Sequence, residues 1–308
     1  MKKVLLATSA LVMFAGAASA EVALSGSARM GLVYADNGTT STTQFSSRIR
    51  IVFTASGETD GGLAFGASVR NDQSGVGGVA NGDSTVFISG AFGKLTMGDV
   101  SGAADALVGQ TSGVGYGPYD GLQEINFIGT NKTAIYYEYS AGAITFGAGI
   151  GQLDTVGPTA RDTYNVGVKY AVDGYSVAIG YEADSLNDFE QISMAGSATF
   201  GAATVKARIS DTNEPGADMA YSVSVDYVTG PTTITAFYTD YGNDIVNFNG
   251  NSFDNLAGVN LSTDTQHIGL GVAYDLGGDA TLAGGVVFQE NEGVPDRTFA
   301  DVGLKFKF

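Results

Sequence analysis

EVALSGSARMGLVY, residues 21–34, puts Val22, Leu24, Gly26, Ala28, Met30, Leu32 and Tyr34 on one parity and Ser25, Ser27 and Arg29 on the other. Strict period-two alternation over this length describes a strand with one apolar and one wet face. The pattern recurs immediately downstream. Phe45, Ile49, Ile51, Phe53 and Ala55 oppose Ser46, Arg48, Arg50 and Thr54. After the turn ETDGG, Leu63, Phe65, Ala67 and Val69 alternate with Ala64, Gly66, Ser68 and Arg70. Further strands are expected at 84–92, 94–100, 132–141, 143–151, 162–172, 174–183, 188–200, 202–211, 217–229, 231–241, 264–275, 278–289 and 297–308, about sixteen in all.

The connections alternate too. ETDGG, FGK, SAG, VDG, FGA, TGP and LGG are tight, whereas 35–43, 71–83, 101–131, 152–161, 184–187, 212–216, 242–263 and 290–296 are longer and polar. Short turns at one end and long loops at the other is the layout of an all-β, 16-stranded antiparallel transmembrane barrel. A soluble β-sandwich is the alternative, but it has no reason to sort loop lengths by end. Tyr34, Phe45, Tyr137, Tyr139, Tyr170, Tyr227, Phe306 and Phe308 fall near strand ends on the apolar parity, where membrane-interface aromatics sit. No domain boundary interrupts the series.

Residues 1–20 read as a cleaved signal peptide. Lys2 and Lys3 precede the apolar stretch Val4 to Ala15, and Ala18-Ser19-Ala20 is a small-residue cleavage site. The barrel domain is then 21–308. Removing Lys2 and Lys3 from the 15 basic residues leaves 13 against 32 acidic ones, a formal charge of −19. Such a balance argues against nucleic acid and for a surface that attracts cations. Cysteine is absent and His267 is the one histidine, which leaves little for zinc, haem or iron–sulfur ligation.

The last run, RTFADVGLKFKF at 297–308, sets Val302, Leu304, Phe306 and Phe308 against Asp301, Lys305 and Lys307. With it, EVALSGSARMGLVY, FSSRIRIVFTASGETDGGLAFGAS, TVFISGAFGKLTMGD, YSAGA and AYDLGG resemble the general diffusion porins of Gram-negative bacteria, most closely those of Rhodobacter and related alphaproteobacteria. The resemblance is sharp over the first hundred residues and at the C-terminus, and looser between. It implies an outer-membrane location in contact with lipid, a homotrimer formed through the first and last strands, and a third external loop folded into the pore. It also implies that Phe308 is part of the signal read by the barrel-assembly machinery.

That loop is SGAADALVGQTSGVGYGPYDGLQEINFIGTN, 101–131, where the alternation stops. It carries Asp105, Asp120 and Glu124, with Asp99 just before it, and neither Lys nor Arg. SGAADALVG has the composition for one or two helical turns, Gly113, Gly115 and Gly117 allow sharp bends, and Tyr116 and Tyr119 are candidates to fix the loop. Arg29, Arg48, Arg50 and Arg70 share the polar parity of the first three strands and should form one patch of inner wall. Acids facing such a patch create a transverse field that favours small hydrophilic solutes and ions over apolar ones. The expected function is a passive water-filled channel, weakly to moderately cation-selective. A substrate-specific porin and an adhesive or structural barrel are the alternatives.

No cofactor is expected. Loop acids at this density also suit a structural Ca²⁺, a hard oxygen-seeking ion, although no EF-hand spacing is present. Ser262, Asp264 and His267 lie close together but without a nucleophile elbow, so enzymatic activity is not expected. Closure of the barrel is expected to bring Glu21 near Phe308, in reach of a terminal ion pair.

Overall fold

The computed structural model describes residues 21–308, except 75–79, 120, 131–132, 154–161, 186–187, 243–264 and 294. The expected leader, 1–20, lies outside the described residues. The chain forms one closed antiparallel barrel in which every strand pairs with its sequence neighbours. The strands are β1 Glu21–Asp36, β2 Ser41–Glu58, β3 Ala64–Ser74, β4 Ala80–Gly90, β5 Gly93–Gly98 and β6 Ala134–Ala141. They continue as β7 Ile144–Ile150, β8 Thr163–Val172, β9 Tyr175–Asp184, β10 Phe189–Phe200 and β11 Ala203–Thr212. The circle ends with β12 Ala220–Thr229, β13 Thr232–Asp240, β14 Thr265–Gly277, β15 Ala280–Asn291 and β16 Arg297–Lys307. One helix, α1 at Ala103–Val108, lies in the connection between β5 and β6.

The alternation fixes which face looks out. Leu24, Met30, Phe53, Val166, Ile179, Val225 and Leu270 are exposed on the outside, where only lipid makes them favourable. Closure satisfies the backbone hydrogen-bonding groups that an open sheet edge would leave bare in lipid. Exposed outward aromatics form a belt at each end of the wall. Tyr164, Tyr221 and Phe288 lie toward the long connections, and Tyr170, Tyr175, Tyr227 and Tyr274 toward the tight turns. Two-residue hairpins at the latter end use Gly142, Gly174, Gly201 and Gly230 at φ between 59° and 77°, a region open to glycine.

Two expectations shift. β3 and β4 run to Ser74 and Ala80, into the span expected to be loop 71–83, and pair as Asn71 with Asn81 and Asp72 with Ala80. Here polar Asn71 and Gln73 take the outward parity beside Ile51 and Ile49 of β2, so alternation disappears while the hydrogen-bonded ladder continues. At the closing seam, Gly26 and Phe308 exchange backbone hydrogen bonds of 2.7 and 3.0 Å. Glu21 instead pairs with Ser56, five residues further along β1. At ~3.4 Å per residue that is about 17 Å from the rung of Phe308, too far for the expected terminal ion pair.

Candidate functional site

The segment after β5 enters the barrel and packs on its inner wall, and glycine makes the room. Gly147, Gly167 and Gly180 stand side by side across β7, β8 and β9, all inward-facing. Ala103, Ala104 and Leu107 of α1 fill the space above them. A methyl group at Gly180 would sit 2.6 Å from Ala104 Cβ, and one at Gly167 or Gly147 would sit 3.0 Å from the Ala103 carbonyl or Leu107 Cδ1. These distances are too short for packed atoms. The helix starts with Ala106 N–H donating to Gly102 O (2.9 Å) and ends at Gly109, whose φ of 70° turns the chain away.

A second glycine track receives the loop tip. Gly271 and Gly285 are register partners on β14 and β15, and Val114 rests on both. Gly31 of β1 and Gly303 of β16 are partners across the seam, and the Tyr116 ring lies over them. Tyr116 N–H donates to the Asp301 carboxylate at 3.2 and 3.3 Å. Val114, Tyr116, Tyr119 and Leu122 join Val33, Phe237, Ala283, Val287 and Phe299 in a buried apolar cluster inside the barrel. The loop and the wall of β13–β16 and β1 thus share a core, as two layers of a soluble domain would.

Polar ties hold the rest. Thr111 Oγ1 meets Ser222 Oγ at 2.6 Å, and Ser112 Oγ donates to Asp226 (2.6 Å) while accepting from Lys206 Nζ (2.7 Å). The Leu122 carbonyl accepts from Tyr241 O–H (2.5 Å) and His267 Nδ1–H (2.6 Å). Burial, and next the charge of Glu124, push the Tyr241 hydroxyl well above its ordinary pKa, so it stays a donor. On the return limb Glu182 accepts from Ile128 and Gly129 N–H at 3.1 and 3.3 Å. Arg208 donates to Asn126 O at 3.1 Å and lies 3.7 Å from the centre of the Phe127 ring. Glu182 and Arg208 are each 1 % exposed, so both side chains are held among fixed partners rather than in water.

The four arginines lie on the opposite wall. Arg29 and Arg48 are direct cross-strand partners, and Arg50 and Arg70 follow on the same inner face. Asp72 holds three of them. Arg48 forks onto it at 2.7 and 2.5 Å, Arg50 donates at 2.9 Å and Arg70 Nε lies 3.5 Å away. Sequence reasoning missed Asp72 because it fell in an expected loop. Its position two residues after Arg70, on the same parity, was the available signal. The loop tip reaches this wall at Gly117, whose φ of 139° and missing side chain leave space for the Arg29 guanidinium.

The loop acids divide. Asp105 and Glu124 act electrostatically on Arg208, together with Glu182. Asp99 sits at the base of the loop, its N–H donating to Ser84 O at 2.9 Å. Asp120 lies outside the described residues. Phe308 forms the seam rung with Gly26. No group of three or more carboxylate or histidine side chains converges among the described residues. Ser262 and Asp264 lie outside them, and His267, completely buried, serves as the Leu122 tether.

A 570 Å³ cavity stays open along the basic wall on the tight-turn side of the loop, bounded by Arg29, Arg48, Arg50, Lys305 and Lys307 among others, with Tyr116 as its loop residue. A closed wall that is apolar outside and polar inside, narrowed by a loop on one side, defines a pore through a lipid bilayer. Comparison with known proteins narrows that class. The Gram-negative porin family profile matches residues 7–294, and the chain belongs to this family. It is 38% identical to the porin of Rhodobacter capsulatus, over 94% of this chain and 100% of that one. The porin of Fuscovulum blasticum is 26% identical, over 67% of this chain and 90% of its own. A porin structure refined at 1.8 Å resolution superposes with a TM-score of 0.72 at 32% identity, covering 94% of this chain and 100% of that one. A variant of Rh. blastica porin shares the fold, with a TM-score of 0.75 at 22% identity and the same coverage. The protein is an outer-membrane porin channel, and the family to which it belongs consists of channels rather than enzymes.

Proposed function

We propose that the barrel is a passive, water-filled pore for small hydrophilic solutes and ions, with weak to moderate cation preference, whose constriction is the space between loop 101–131 and the arginine wall. The carrying observation is the seating of the loop along one side of the lumen, in glycine tracks, with the arginines left across an open cavity. Opposite charge across a gap orders water and dipolar solutes, so apolar solutes pay a desolvation penalty there. The excess of acids over bases raises local cation concentration, while the arginines oppose this at the narrowest point. Three such barrels assemble through the outer faces of the first and last strands, where Gly26, Ala28 and Ala55 permit close approach. The assembly machinery reads the terminal Phe308. Calcium at the loop acids is a subsidiary part of this reading, tested by chelation.

Purified protein in a planar bilayer should conduct in steps that come in multiples of three. Folded protein, checked by heat-modifiable migration, that gives no steps would overturn the pore. Reversing charge at Asp120 and Glu124 should move the zero-current potential in a salt gradient toward anions. An unmoved potential would remove those acids from the constriction.

A further inference from the structure

We infer that the lumen holds a binding site for a doubly charged oxyanion, inorganic phosphate or a phosphate monoester, on the tight-turn side of loop 101–131. The inference rests on the lumen being open to solutes, and it adds a ligand class that a passive pore does not require.

The cation distribution carries it. The mature chain has 13 basic residues, and five of them, Arg29, Arg48, Arg50, Lys305 and Lys307, line one cavity of 570 Å³. The register packs them as tightly as a sheet allows. Lys305 is the direct partner of Arg29, which is the direct partner of Arg48. One rung away, Ser27 stands between Lys307 and Arg50. Adjacent strands are ~4.8 Å apart, so three cations in a row repel unless an anion lies among them.

Asp72 answers that repulsion at Arg48, Arg50 and Arg70. Among the described residues no carboxylate forms an ion pair with Lys305 or Lys307. Among the described residues Asp279, at the hairpin turn, is the carboxylate that lines the cavity. Thr281, the β15 partner of Lys305, and Ser27 add hydroxyl donors. The cavity therefore offers two mobile ammonium groups, hydroxyls and the terminal amino groups of Arg50, whose Nε alone is engaged by Asp72. This donor set matches a tetrahedral dianion with several acceptor oxygens. A monovalent halide uses it poorly. An anionic lipid headgroup is excluded by place, because the cavity opens inside the wall.

Equilibrium dialysis of labelled inorganic phosphate against folded, detergent-solubilised protein reads the site without requiring conduction. The expected result is saturable binding of one phosphate per barrel that competes with sulfate far better than with chloride. K305Q/K307Q should weaken that binding about tenfold, as loss of two charge-assisted donors in a solvated site implies. K305R/K307R should retain it, and heat-modifiable migration certifies that each variant is folded. In bilayers, phosphate at constant ionic strength should lower single-channel conductance in the wild type and far less in K305Q/K307Q. Unsaturable binding, or binding equal in wild type and K305Q/K307Q, overturns the site. Absence of channel steps overturns the pore instead, whatever the dialysis gives.

Discussion

The two sides of this lumen are built by different rules. From β7 round to β15, the inner wall is stripped to glycine where the loop lies and equipped with buried polar side chains where the loop needs partners. Loop and wall there behave as one packed interior. At the tight-turn ends of β16 and β1, and across β2 to β3, the wall keeps its charges part-exposed and leaves a cavity. The loop tip touches that side at Tyr116 and Gly117. One sheet thus serves as a core on one side and as a polar channel lining on the other. What changes along it is the size of the inward residue at each rung. Substitutions on the packed side should therefore report as stability, and those on the open side as ion selectivity.

The sharpest test on the packed side is Arg208→Ala. It removes the cation that faces Glu182, Asp105 and Glu124 and takes away one of the two side-chain donors to the Asn126 carbonyl, the other being Gln191. Each lost charge-assisted hydrogen bond, to the Gly109 and Asn126 carbonyls, costs about 1.5–3 kcal/mol. Urea unfolding in detergent should show a loss of that order, with the loop newly open to protease.

Gly180→Leu comes next. It drives a side chain into Ala104, and overpacking of this kind costs about 1–3 kcal/mol. The unfolding midpoint should fall, and conductance should become larger or noisier as α1 leaves its seat. Unchanged stability and conductance would mean that the glycine track does not hold the helix.

Tyr241→Phe removes one of the two hydrogen bonds to the Leu122 carbonyl, worth about 0.5–1.5 kcal/mol. The wild type should also lose this contribution in alkali. The hydroxyl's pKa is raised in the folded protein, so its stabilisation is complete below the unfolded value near 10 and declines as pH rises above it. Comparing pH–stability profiles of the two proteins isolates that share, because Tyr241→Phe lacks this titration.

The smallest effect belongs to the open side. Asp72→Asn takes away the countercharge of three arginines while leaving them in water. One charge ~8 Å from a passing ion in water is worth about 0.5 kcal/mol, favourable to a cation and unfavourable to an anion, and so about fivefold in the ratio of cation to anion permeability. Reversal potentials should shift toward anions by that amount and less at high salt, with little change in the unfolding midpoint. A large stability loss here would erase the distinction between the two sides.

The strand plan was legible because a bilayer outside and water inside force opposite residues onto alternate positions, as Val22 to Tyr34 make plain. It was harder to follow at Asp72, where polar Asn71 and Gln73 occupy the other parity and only the step of two from Arg70 marks the inner face. The arginine wall followed from parity alone. The seat of the loop did not, although Gly147, Gly167 and Gly180 carried a signal. They line up once hairpin registers are counted, and an inward row of glycines marks a place where something must come close. Arg208, Glu182 and His267 gave no such sign, since a buried tether and a solvated side chain look alike in sequence.

The Tyr116 ring spans Gly31 and Gly303, and so lies over the one junction in the cylinder that is not made by consecutive strands. An assembling chain that has docked its loop on either terminal strand already holds a template for the other. The encounter between the two ends of the sheet becomes a tethered event, with an effective concentration set by a few side chains rather than by the length of the intervening polypeptide. The element that narrows the passage is thereby also placed to guide the ring shut.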